Sequence, residues 1–176
     1  MSGAVQWGAF AAAVPGLAAQ VQARLAAHPH HVLATLRADG SPRVNGTNVY
    51  VTDGRMWFGT MTGAVRAADM RRDPRVAIHS APLDDKLPAG SGDARVSGMV
   101  RALAAEDGRA LLVAVAGAEA GAADGEFFEL FVDSVSLVEV HGPSVVVHSW
   151  TPDGGRSEEH TSELQSLAYL VCRLLL

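Results

Sequence analysis

Apolar and polar positions along the chain follow two rhythms. Leu17, Val21 and Leu25 recur at every fourth position, which gives one apolar stripe and predicts a helix over Pro15 to Ala27. Pro15 suits the first helical turn, where its missing N–H costs nothing, and the helix is expected to stop before His28-Pro29. Short β-rich runs then take over. His31 to Arg37, Arg43 to Val51 and Arg55 to Thr60 are predicted strands, joined by Asp39-Gly40 and Asp53-Gly54. Asp-Gly between apolar runs signals a hairpin, because the type I′ turn needs positive φ at both central residues. Ala64 to Arg72 reads as a short helix ended by Asp73-Pro74, and Arg75 to Ser80 as another strand. Pro82 to Asp93 reads as a polar loop. Ala94 to Leu103 reads as a strand, Glu106 to Ala116 as a helix, and Gly117 to Gly125 as a small-residue linker. Phe127 to Val140 and Ser144 to Trp150 complete the sheet. Evenly spaced antiparallel strands favour a barrel, which removes its own edges, with short helices over its ends. The predicted class is α+β.

Composition narrows the picture. The 176 residues are 48% hydrophobic, enough for one compact domain. A net charge of -5 argues against nucleic-acid binding, which calls for a basic face. Met1 to Val14 lacks the basic start of a signal peptide. Phe10 to Val14 is far shorter than the roughly 20 apolar residues of a membrane helix. Cys172 is the only cysteine, so no disulfide forms within one chain, and a cytoplasmic location is the plain expectation.

The end of the chain differs from the body. From Arg156 it reads RSEEHTSELQS and then LAYLVCRLLL. The first stretch resembles the translation of a common sequencing-adapter oligonucleotide. Residues 1–155 are therefore expected to be the domain, and 156–176 a non-native tail that makes no hydrogen-bonded strand pairing. The other reading is a genuine amphipathic terminal helix.

Chemistry concentrates where the third strand ends. Thr60, Met61, Thr62 and Gly63 lead directly into the next helix, and such a corner presents free backbone N–H groups to an anion. Arg66 lies in the first helical turn, where a cation is disfavoured by the helix dipole unless an anion binds beside it. Its guanidinium suits bidentate phosphate contact. The plain alternative is a solvent-facing Arg66 with Thr62 as an ordinary N-cap. His28, His30 and His31 cluster at a helix-to-strand junction, but strand entry splays them and no Cys or acidic ligand sits nearby. His79 and His148 read as hydrogen-bonded strand histidines, although His79 could also face a cofactor. Trp57 and Trp150 read as core or interface residues. No serine has a nucleophile-elbow setting.

VLATLRADGSPRV, MWFGTM, ADMRRDPRVAIHS and VVVHSW, in this order and spacing, resemble the flavin-binding split β-barrel family, also called pyridoxamine 5′-phosphate oxidase-like. The resemblance runs from the first helix to Trp150. It implies an antiparallel split β-barrel and a homodimer with the cofactor at the subunit interface. The cofactor would be FMN, or in some members F420, FAD or haem. It also implies that Thr60, Met61, Thr62, Gly63 and Arg66 hold the cofactor phosphate. Asn45 stands where the oxidases place a phosphate-binding Arg, and Arg43 could supply charge from the same strand. Ala64 and Val65 stand where the oxidases have a hydroxyl and an Arg. The resemblance thus implies a flavin- or deazaflavin-dependent oxidoreductase acting on a small-molecule substrate. A non-catalytic flavin- or haem-binding module, or a barrel that has lost its cofactor, is the second reading.

Overall fold

The computed structural model describes residues 3–81, 92–122, 124–141 and 144–161. Two helices open the chain, α1 (Trp7–Ala13) and α2 (Pro15–Ala26). A meander follows: β1 (His31–Leu36), β2 (Pro42–Thr47), β3 (Val49–Thr52) and β4 (Arg55–Thr60). Then come α3 (Val65–Arg72), β5 (Arg75–His79), β6 (Ala94–Ala102), α4 (Ala105–Ala116) and a 3-10 segment, Ala118–Ala122. The chain continues with β7 (Glu126–His141), β8 (Ser144–Thr151) and β9 (Gly155–Thr161). The fold is α+β, as the pattern predicts.

All strand pairs are antiparallel, along the path β2-β1-β5-β6-β7-β4-β3. The two ends of that path, β2 and β3, are successive in the chain and separated by Asn48 alone. The sheet must therefore curl until its ends meet, which makes a barrel split at β2 and β3. The predicted single strand Arg43 to Val51 is this pair of strands, broken at Asn48. β7 is the spine: β6 runs along one edge, while its other edge pairs first with β4 and then with β8. A register shift between Ser97 and Gly98 bends β6. Gly98 is required there, because a Cβ would lie 1.9 Å from the carbonyl oxygen of Phe131.

Only the second Asp-Gly pair makes the expected two-residue turn; at the first, Gly40 alone takes positive φ (82°) and Arg37 to Ser41 lie between the strands. Asp53 (φ 51°) and Gly54 (φ 73°) both take positive φ, so β3 and β4 pair as Thr52↔Arg55, Val51↔Met56 and Tyr50↔Trp57. At the other hairpin the Asp39 carboxylate accepts from the Ser41 N–H at 2.9 Å and its hydroxyl at 2.6 Å.

Leu17, Val21 and Leu25 of α2 are all buried, as the stripe requires. The helix α1 lies outside the predicted elements. Phe10 packs between Trp7 and Trp150, with ring centroids 5.0 and 4.8 Å away. The Gly8 N–H donates to the Gly54 carbonyl at 2.8 Å, and Val5 and Val132 exchange two backbone bonds. A charged centre sits beneath this end. Glu129 of β7 is fully buried, bonded to Gln6 (3.0 Å), Arg55 (2.8 Å) and Arg101 (3.3 Å). Burial alone would raise its pKa, but the Arg55 and Gln6 bonds outweigh it and hold the carboxyl below the usual glutamate range. Among the described residues no helix is long and apolar enough to cross a membrane.

The expectation of an unpaired tail is overturned for its first residues. Gly155–Thr161 forms β9, in register with β8 from Thr151↔Gly155 to Val145↔Thr161. The outer edge of β8 offers a row of backbone donors and acceptors, and such an edge pairs with whatever chain a turn returns to it, regardless of side chains. Residues 162–176, Cys172 among them, lie outside the described residues, as do 82–91 of the expected loop. The described side chains of the new strand, Arg156 to Glu158, are exposed and add nothing to the core. Removal of 156–176 is therefore expected to lower the melting temperature by no more than about 3 °C, roughly 1 kcal/mol for a chain of this size. A melting curve with and without the segment checks this, and a larger loss would make β9 a structural strand.

Candidate functional site

The strand-to-helix corner is built from β4, a tight turn and α3. The Ala64 N–H donates to the Met61 carbonyl at 3.1 Å, and Gly63 takes φ 74°. Ala64 occupies the N-cap position and offers no side-chain cap. Arg66 folds back over the strand it has just left. Its Nε donates to Thr60 Oγ1 at 2.6 Å, its Nη1 to the Gly46 carbonyl at 2.7 Å and its Nη2 to the Gly59 carbonyl at 3.4 Å. All three acceptors are neutral, and among the described residues no carboxylate forms an ion pair with Arg66. Burial of this half-buried cation lowers its pKa. A half-buried charge without a counter-charge still carries part of the desolvation cost, so the geometry favours an anion here.

Two cavities meet at this guanidinium. The first, about 400 Å³, is lined by Tyr50, Trp57, Phe127, His30, Thr47 and Asn48. Tyr50 stacks on Trp57 with centroids 4.8 Å apart. The second, about 500 Å³, is lined by Arg43, Asn45, Ala64 and Val65. Gly46, Thr60, Met61 and Arg66 belong to both. An aromatic-walled cleft beside a cationic one suits an elongated ligand with a flat ring at one end and an anion at the other.

Of the residues singled out from the sequence, Arg43, Asn45, Thr60, Met61 and Arg66 line one or both cavities, whereas Thr62 and Gly63 line neither. Thr60 is buried with its hydroxyl given to Arg66. Met61 is 79% exposed. Thr62 is exposed and is not the helix cap, so its ordinary-cap reading falls. The Gly63 N–H already donates to Glu126 Oε1 at 2.8 Å. Asn45 is exposed at the rim of the second cavity. Arg43 lines that cavity, yet its Nε pairs with Asp69 Oδ2 at 2.5 Å. Asp69 is buried, and Arg72 holds its other oxygen at 2.9 Å. Burial pushes the Asp69 pKa up, but the two guanidiniums more than offset this and hold it below the usual aspartate range.

Several site residues lay beyond the sequence reading. Tyr50 over Trp57 could have been found by counting back from the Asp53-Gly54 turn. Glu126, Arg71 and Asp69 carry no local signal. His30 reaches the first cavity and bonds Asn48 Oδ1 through Nδ1 at 2.9 Å. Three strand histidines each bond internally through one ring nitrogen: His31 to the Leu25 carbonyl (2.8 Å), His79 to the Ser80 carbonyl (2.7 Å) and His148 to Glu139 (2.8 Å), while the buried Nδ1 of His31 has no partner. Among the described residues no group of three or more His, Cys, Asp or Glu is placed to hold a metal ion.

The family model described as pyridoxamine 5′-phosphate oxidase matches residues 17–147, most of the chain. The chain belongs to the pyridoxamine 5′-phosphate oxidase family. Solved structures share its split-barrel fold. A pyridoxamine 5′-phosphate oxidase-related, FMN-binding protein from Nostoc punctiforme is 14% identical, with TM-score 0.58, covering 84% of this chain and 95% of its own. The haem storage protein HutZ from Vibrio cholerae is 13% identical, with TM-score 0.57, covering 70% and 95%. PhzG from Burkholderia lata, in complex with tetrahydrophenazine-1-carboxylic acid, is 12% identical, with TM-score 0.60, covering 83% and 88%. At these identities the likeness carries the fold alone. No curated protein matches the sequence. Within the pyridoxamine 5′-phosphate oxidase family, the cationic corner after β4 is this chain's candidate binding site.

Proposed function

We propose that the protein is a cytoplasmic, homodimeric oxidoreductase that holds FMN, or the deazaflavin F420, by its phosphate and acts on a small-molecule substrate. The observation that carries this reading is Arg66, an uncompensated cation at the junction of the aromatic and the polar cavity. Arg66 and the backbone of the corner would hold the phosphate. Thr60 would orient the guanidinium through its hydroxyl. Tyr50, Trp57 and Phe127 would exclude water from the ring. When bound, the flavin or deazaflavin supplies hydride-transfer chemistry, and the chain supplies position and electrostatics.

The surface beside the site supports the dimer. Val44, Met61 and Val65 are each more than 60% exposed, and all three border the second cavity or the strand that lines it. A second copy would cover them and close the open side of both cavities. The FMN-binding relative from Nostoc supports the flavin, and the haem storage relative supports a second reading. That second reading is a binding module without catalysis. It is favoured by Ala64 and Val65, which bring no polar group to the corner, and by the commitment of Arg43 to Asp69.

Titration of the purified chain with FMN and with F420, beside light scattering, tests the proposal. A dimer that binds one of the two at micromolar concentration is the expected result. A monomer that binds neither overturns it. Binding without turnover of any reduced cofactor would favour the non-catalytic module.

A further inference from the structure

Glu126 opens β7 directly opposite Thr60 of β4. Opposite residues of an antiparallel pair project from the same face, so the Glu126 carboxylate shares its face with the hydroxyl that holds Arg66. Its Oε1 accepts the Gly63 N–H at 2.8 Å, and its Oε2 pairs with Nη2 of Arg71 in the last turn of α3. The turn into α3 is thus already bonded to an anion, which takes one of the corner's backbone donors and, with Arg71, lines a separate cavity beside the two that meet at Arg66. The carboxylate is mostly enclosed, at 16% exposed, whereas Arg71 is 54% exposed and can swing into solvent.

We infer that Glu126 is the charge-selecting residue of this site: its carboxylate weakens the hold on the phosphate end of the cofactor, and Arg71 tempers that repulsion. The inference rests on the corner being the phosphate site. An incoming phosphate is drawn by Arg66 and repelled by Glu126, and in a half-enclosed site one unit of charge changes affinity by about tenfold. A carboxylate that only clamps the loop would act on folding and on any ligand alike. A charge-selecting one acts on the phosphate and not on the ring.

FMN and riboflavin share a ring and differ by the phosphate, so their affinities separate these roles. Both are titrated into the wild type, Glu126→Gln, Arg71→Ala and Arg66→Ala, each checked by a melting curve. If F420 is the tighter ligand, F420 and its phosphate-free core replace the pair. Glu126→Gln keeps an acceptor for the Gly63 N–H and removes the charge. It is expected to tighten FMN about tenfold and leave riboflavin within about twofold. Arg71→Ala leaves the carboxylate uncompensated and is expected to weaken FMN alone, which keeps the inference testable if Glu126→Gln fails to fold. If Arg66→Ala weakens FMN while Glu126→Gln leaves it unchanged or weaker, the phosphate corner stands and the role of Glu126 is overturned. If Arg66→Ala leaves FMN unchanged, or no variant binds either ligand of a pair, the corner and the inference fall together.

Discussion

Glu129→Ala is expected to destabilise the protein by about 3 kcal/mol, more than any other single truncation of a charged side chain. The carboxylate is fully buried and gathers Gln6, Arg55 and Arg101 from the N-terminal segment, β4 and β6. Its loss strands an arginine whose Nε already has no hydrogen-bond partner. It also releases Gln6, which leads into α1. The estimate stands at the lower end for a broken buried pair, because Arg55 and Arg101 both reach water. Glu129→Gln keeps the shape and part of the bonding and should cost less. Urea unfolding of the three proteins checks the order, and a loss below about 1 kcal/mol for Glu129→Ala would reduce this centre to a surface-like pair. The same carboxyl sets an acid limit. Its folded pKa lies below the ordinary value, as does that of Asp69. Each therefore contributes stability that is fully present above the ordinary carboxylate range and is lost as pH falls through the lowered folded value.

Arg66→Ala is expected to weaken phosphate-bearing cofactor by about ten- to hundredfold while changing folding stability by only about 0.5 kcal/mol. The asymmetry follows from its partners. Thr60 and the Gly46 and Gly59 carbonyls are neutral, and the two cavities give water access to them once the side chain is removed. A bound phosphate has no such substitute for the lost charge. Parallel FMN and F420 titrations with a melting curve decide it. Equal affinity in both proteins would return Arg66 to an ordinary solvated helix residue.

What the sequence made legible was local. The Asp53-Gly54 pair fixed a register, and the four-residue spacing of Leu17, Val21 and Leu25 fixed a buried face, because each depends only on near neighbours. The corner was legible for the same reason, since Thr60 to Arg66 is one continuous stretch. The break at Asn48 was not, because Arg43 to Val51 is an unbroken strand-like run and only barrel closure divides it. The helix α1 has seven residues with little periodicity, and it is held by Trp7 and Phe10 against Trp150, far along the chain. The electrostatic state of the site was equally hidden. Glu126 meets Arg71 across 55 positions, and Asp69 captures Arg43 across 26, so no spacing rule could reveal which cation is free. The pairing of β9 eluded a reading based on side-chain character, because backbone edges do not consult it.

The stacking of Tyr50 on Trp57 has an optical consequence. Trp7 and Trp150 lie in the main core around Phe10, whereas Trp57 belongs to a separate cluster with Leu111 and Phe127 at the wall of the first cavity. One of the three indoles is thus an emitter set against the ligand space, and two are set apart from it. Indole emission overlaps the absorption of flavins and deazaflavins, so a ring seated in that cavity drains the excited state of Trp57 first. A flavin or deazaflavin bound there would therefore register as quenching of the indole emission, in which Trp57 at the cavity wall takes part.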